Sequence, residues 1–138
     1  MIERTRTICA NATVIIIVAL ILVWGNTWWR QRTQYQRGEA ALAARNPIAA
    51  IAGYEAAIHM YTPWSSLVEA SARRLWEIGG VFERSGDPQR ALIAYRSLRS
   101  SFYAAKWLVQ PGGEWIARCD GKIAEILRSQ GYAPPPAR

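Results

Sequence analysis

Residues 8–24 read ICANATVIIIVALILVW and carry no charge. Nothing else in the chain limits its fold so sharply. Continued through Gly25, Asn26, Thr27 and Trp28 to Trp29, the stretch covers residues 8–29. A helix of about 22 residues crosses a hydrocarbon core of roughly 30 Å. Residues 14–23 are aliphatic throughout. In water such a segment must be buried on all sides, and a chain of 138 residues leaves too little else to bury it. In lipid a helix satisfies its own backbone.

The flanks agree with a membrane span. Trp24, Trp28 and Trp29 gather at one end, where amphipathic rings favour the headgroup layer, and Arg30 and Arg32 follow at once and can snorkel outward. These five residues are the expected membrane-interface set. A cleaved signal peptide needs a small-residue site after its apolar run, but the chain continues Trp-Gly-Asn-Thr-Trp-Trp-Arg. A lipoprotein signal needs its cysteine after the run, and Cys9 comes at its start. The expectation is therefore an uncleaved single-pass anchor in a cell (inner) membrane. Arg4 and Arg6 on one side balance Arg30, Arg32 and Arg37 on the other, so both orientations stand. Asn11 and Thr13 are polar exceptions near the edge of the span, where hydration or a partner helix would satisfy them.

After Arg30 the pattern turns helical. Apolar residues recur at three-four spacing at Trp64, Leu67, Val68, Leu75, Ile78, Gly79 and Phe82. Ala91, Leu92, Tyr95, Leu98 and Phe102 repeat the pattern, as do Trp115, Ile116, Cys119, Ile123, Ile126 and Leu127. Breakers separate these runs: Asn46-Pro47, Thr62-Pro63, Ser85-Gly86-Asp87-Pro88 and Pro111-Gly112-Gly113. Asp87-Pro88 and Asn46-Pro47 are helix starts, a capping side chain followed by proline in the first turn. No segment alternates as a strand would, so the expected fold is all-α.

The chain also compares with itself. Residues 50–54, Ala-Ile-Ala-Gly-Tyr, align with residues 91–95, Ala-Leu-Ile-Ala-Tyr. Each follows a capped proline, and each has a glycine twelve residues before its leading alanine, Gly38 and Gly79. On these residues the chain resembles the tetratricopeptide repeat, a helix-turn-helix unit of 34 residues. The second unit carries Leu75, Ile78, Gly79, Phe82, Gly86-Asp87, Ala91, Tyr95 and Leu98 at the matching positions. The first carries Gly38, Ala50, Tyr54 and Ala57, while Gln34, Arg37 and Ala41 stand where large apolar residues are expected. From Ala50 to Ala91 is 41 residues, and the excess falls around residues 61–71. The resemblance covers residues 32–102. It implies units at about 32–63 and 72–105, a capping helix at about 114–129, Ala91 packed against Gly79, and Tyr54 and Tyr95 filling the space between successive helices. The domain is expected to run over residues 30–130, between a short polar start at 1–7 and a Pro-rich, unfolded tail at 131–138.

The resemblance also implies a partner groove lined by Arg73, Trp76, Glu83 and Arg84 of the second unit and by Arg32, Tyr35 and Glu39 of the first. Trp76 has two readings, an exposed hot spot beside arginine or a ring packed under the late helix or the 106–109 segment. A second surface joins Arg96, Arg99 and Tyr103 on one helix face, with Lys106 and Trp107 beyond, as a solvated face or a patch for anionic headgroups.

Net charge is +7, carried mostly by scattered arginines, and no zinc-finger spacing or dense Lys/Arg run accompanies it. Nucleic acid is not an expected partner. Cys9 and Cys119 would sit in different environments and form no disulfide framework or metal cluster. His59, the only histidine, has no Ser, Cys or carboxylate at catalytic spacing. Glu77 follows Arg73 and Arg74 as a surface helix pair. No phosphate loop or metal motif occurs, so neither an enzyme nor a cofactor is expected.

The expected function is a membrane-anchored scaffold or accessory subunit that presents a helical surface to the subunits of a larger membrane complex. Two alternatives accompany it. One is a binding module for a peptide or anionic lipid. The other is an accessory of a bacterial proton-channel system of the ExbB/TolQ type, to whose small partner proteins residues 75–103 look similar.

Overall fold

A computed structural model describes residues 2–62, 65–106 and 108–132. Pro63, Trp64, Trp107 and the expected unfolded tail from residue 133 lie outside the described residues. The described residues form five helices and no strand: α1 (Ile2–Ala43), α2 (Pro47–His59), α3 (Ser66–Arg84), α4 (Pro88–Ala104) and α5 (Gly113–Ser129).

Helix α1 has no break where the expected anchor meets the expected first unit. It runs 42 residues, or about 63 Å at 1.5 Å per residue, twice what a bilayer core needs. The N-terminal part is a bare rod. Its most apolar window has a mean hydropathy of 2.5 and none of it is buried. This is one helix long and apolar enough to cross a membrane, near the N-terminus. From Gln31 onward the same helix packs on α2 and touches α3.

The other helices follow as antiparallel hairpins, with α2 on α3, α3 on α4, α4 on α5, and α2 also against α4. One core joins them, with Tyr54, Ile58, Leu75, Leu98 and Cys119 fully buried. The 41-residue offset seen in the sequence recurs in the backbone. Asn46 and Asp87 cap α2 and α4, accepting from the amides of Ala49 (3.1 Å) and Arg90 (3.0 Å). The helices before them end alike. Asn46 N–H donates to the Ala41 carbonyl (2.9 Å) and Asp87 N–H to that of Phe82 (2.9 Å), and left-handed residues Arg45 and Gly86 make the turn. The extra length at residues 61–71 is taken up by the connection before α3 and by the first turns of α3.

Helix α5 stops in the same way. Gly131 has φ 80°, and Tyr132 N–H donates to the Leu127 carbonyl (2.9 Å). So α1, α3 and α5 share one C-terminal signal, which α2 and α4 lack.

Arg45 makes its turn at φ 57°, where a side chain costs about 1–2 kcal/mol and glycine does not. Arg45→Gly should therefore stabilise the domain by about 0.5–1 kcal/mol after the added freedom of the unfolded chain is subtracted. A raised thermal midpoint in detergent is the expected readout, and a lowered one would place the Arg45 side chain in a contact of its own.

The glycine contacts refine one expectation. The atoms nearest a Cβ on Gly79 would be those of the Tyr95 ring, at 2.6 Å, ahead of Ala91, and one on Gly38 would meet the Tyr54 ring at 2.7 Å. The tyrosines lie one turn beyond the alanines, and it is their rings that fill the space beside the glycines.

Candidate functional site

The residues expected to line a groove divide into three groups. Glu39, Tyr35 and Glu83 are bound into the fold. Tyr54 donates its phenol to Glu39 Oε1 (2.6 Å), and Arg74 of α3 grips both oxygens of the same carboxylate (2.8 and 3.1 Å). Tyr35 leans on Tyr54, with ring centroids 5.6 Å apart. The second hairpin repeats this arrangement: Tyr95 donates to Glu83 Oε2 (2.6 Å), and Lys122 of α5 reaches Glu83 Oε1 (3.2 Å). Each hairpin is thus clasped through its tyrosine-bound carboxylate by a cation from the next odd-numbered helix. A charged bond of this kind is stronger than a neutral one. Sequence reasoning missed Arg74 and Lys122 in these roles, since neither lies at helical spacing from the carboxylate it holds.

Trp76 is the second group. Its ring lies 5.0 Å from that of Tyr95 and 6.0 Å from that of Trp115, so of its two readings the packed one describes it. Trp115 closes the cluster by donating its indole N–H to Glu69 (2.9 Å). Trp76 is half-buried and serves the contact between α3 and α5.

The third group stays at the surface. Arg73 is exposed and pairs with Glu69 at 3.4 Å. Arg84 is exposed, and Arg32 is exposed with its guanidinium 5.7 Å from the Trp28 ring. Such pairs contribute little to stability and leave the side chains free to move.

The second expected surface does come together. Arg96, Arg99, Ser100 and Tyr103 line a shallow hollow on α4. Arg99 stacks over Tyr103 at 5.6 Å and pairs with Asp120 at 3.0 Å, which offsets part of its charge. Of the interface set, Trp24, Trp29 and Arg30 are exposed and Trp28 is half-buried. Thr13 returns its hydroxyl to the Cys9 carbonyl (2.9 Å), and Asn11 is exposed.

Gln31 carried no signal in the sequence, yet it is fully buried. Its Nε2 donates to the Ala57 carbonyl (3.0 Å), and its Oε1 accepts from the hydroxyl of Ser65 (2.6 Å), the residue that caps α3. One side chain on α1 therefore holds the end of α2 and the start of α3. Among the described residues no buried side-chain polar atom lacks a partner.

His59 is exposed, 3.9 Å from Glu55. Cys9 is exposed and Cys119 buried, and both are free thiols. Among the described residues no group of three His, Cys, Asp or Glu side chains is arranged to hold a metal ion.

The buried acids give the domain a definite pH response. Burial, helped by Asp120, pushes the Cys119 thiol up to about 12. Burial and the bond to Glu83 raise Tyr95, and burial and the bond to Glu39 raise Tyr54. In each case the unfolded chain ionises first, so stability falls as pH rises above about 9. Glu39 has the opposite sign. Burial works to raise it, but bonds from Tyr54 and Arg74 and the Arg74 charge outweigh that and leave it lowered. Its contribution is present above the ordinary carboxyl range and is lost as pH falls through the lowered value. Thermal midpoints should decline on both flanks of a neutral plateau, and a midpoint still rising above about pH 9 would contradict the buried thiol and phenols.

No family model matches the chain, and neither a curated protein nor a solved structure is significantly similar to it.

Proposed function

We propose that the chain is a membrane-anchored scaffold or accessory subunit whose helical hairpins present a protein-interaction surface to a larger membrane assembly. The observation that carries this reading is the continuity of α1. Its N-terminal half is exposed and aliphatic, and its C-terminal half is the first helix of the packed domain. An exposed aliphatic rod of this length is satisfied by lipid. A rod that enters the domain without a linker fixes the position of that domain relative to the bilayer, which suits a part that must meet other membrane subunits.

The tetratricopeptide-like reading belongs to the same proposal. In its favour are the doubled tyrosine–glycine crossing, the doubled cap, and the shared stop signal that makes α5 resemble an odd-numbered helix closing the stack. Solenoid units need such a terminal helix to cover the last apolar face. Surface recognition is the role that fits this arrangement, with Arg73, Arg84 and Arg32 as exposed basic side chains.

Full-length protein, tagged at its C-terminus and extracted in mild detergent, should bring membrane subunits with it. Arg73→Ala combined with Arg84→Ala should weaken that capture while helical content stays unchanged. A full-length chain that purifies alone from membranes whose other complexes survive extraction would end the accessory role.

A further inference from the structure

The domain's loops at the end nearest the rod carry its most exposed apolar residues. Because α2 and α4 run back toward the rod, their C-terminal connections share that end of the bundle. The first connection holds Tyr61, 43% exposed, and the second holds Leu108 and Val109, 80% and 78% exposed, beside exposed Lys106. Tyr61 lines two adjoining hollows. In one it faces Leu20, Ile21, Val23 and Trp24 of α1, and in the other it faces Lys106, Leu108 and Val109.

We infer that these two connections lie in the headgroup layer of the bilayer, so that the domain rests on the membrane and is not held clear of it. The inference rests on the anchor reading of α1. What selects lipid as the occupant is continuity: Tyr61 and Thr62 line one hollow together with Leu20, Val23 and Trp24 of α1, and Leu20 lies one turn deeper along the rod than Trp24. Whatever fills that hollow also bathes Tyr61, and the adjoining hollow carries the surface on, past exposed His59 and Lys106, to Leu108 and Val109. The residue types suit the layer. A tyrosine presents an apolar ring with a polar tip, a lysine stem lies along apolar surface while its ammonium stays among phosphates, and a leucine–valine pair dips below them. In water, Leu and Val exposed side by side would instead form a sticky patch.

Depth-resolved quenching of the full chain in phosphatidylcholine vesicles tests this. Cys9→Ala removes the exposed thiol, and Cys119 is buried and escapes labelling. Single cysteines are then placed by Leu108→Cys, by Val109→Cys as a second reporter, by Ser129→Cys at the opposite end of the domain, and by Val18→Cys in the rod. Each is labelled with a polarity-sensitive dye. The labels at 108 and 109 should be quenched by nitroxides near the top of the acyl chains and be several-fold less accessible to iodide than the label at 129. Iodide access at 108 and 109 with lipid quenching at 18 would overturn the inference and leave the anchor standing. Iodide access at 18 would overturn both. Protection at 108 and 109 from iodide and lipid nitroxides alike would mean that a second copy of the chain covers the surface, which also overturns it.

Discussion

Gly53→Ala should lower the thermal midpoint by more than about 10 °C, a loss of about 3 kcal/mol in a domain of this size. A Cβ at Gly53 would lie 2.7 Å from the backbone nitrogen of Gly38, 2.8 Å from its Cα and 3.1 Å from the Gln34 carbonyl oxygen. These are backbone atoms of α1, so no rotamer change relieves the clash. The two helices must part, and the Tyr54 bond to Glu39 parts with them. Gly121→Ala is the matched control. A Cβ there meets nothing within 4 Å, so it should stabilise α5 by about 0.5–1 kcal/mol through helix propensity alone. Denaturation followed by circular dichroism in detergent gives both values. Equal midpoints for the Gly53→Ala protein and the parent would mean that α1 and α2 do not cross at these glycines.

Gln31→Glu should cost about 3 kcal/mol or more at neutral pH, because it buries a charge whose neighbours are a carbonyl and one hydroxyl. Ser65 can still donate to a carboxylate at this position, but the Ala57 carbonyl, now facing a negative oxygen, repels it. Burial holds the new carboxyl's pKa above its unfolded value. The penalty is therefore small below the ordinary carboxyl range and grows as pH rises through it. Gln31→Leu keeps the volume and loses the bonds, leaving a carbonyl and a hydroxyl unsatisfied at about 1–3 kcal/mol, with no such pH dependence. Hydrogen exchange should quicken in both variants at the end of α2 and the start of α3. A neutral Gln31→Leu would show that the site tolerates any side chain of that size and that its polar bonds do not join rod to domain.

The helix boundaries were legible because the signals that set them are local. A capping Asn or Asp followed by proline satisfies backbone groups within one turn. Asn46 and Asp87 therefore start α2 and α4 where the sequence places them. Three-four spacing likewise named the core of α3, α4 and α5, since a helix with one apolar stripe has one way to face a neighbour. The equivalence of Gly38 and Gly79 was legible in the sequence, and the ring nearest to each is that of a tyrosine, Tyr54 and Tyr95. The candidate groove was less so. Spacing along one helix says which side chains share a face, but not what another helix brings to that face. Glu39 and Glu83 look like surface acids until Tyr54, Arg74, Tyr95 and Lys122 arrive from elsewhere in the chain.

The sequence by itself determined the helical content, the two capped hairpins and an apolar rod long enough for a bilayer, because each follows from interactions within about one helical turn or from the hydropathy of a single segment. Only the tertiary structure decided that the rod continues into the domain unbroken, that Gln31 is buried, that Trp76 turns inward, and that Tyr61 and Leu108 share one end with the rod. Each of these depends on contacts between residues far apart in the chain, which form only when the helices have found their crossings.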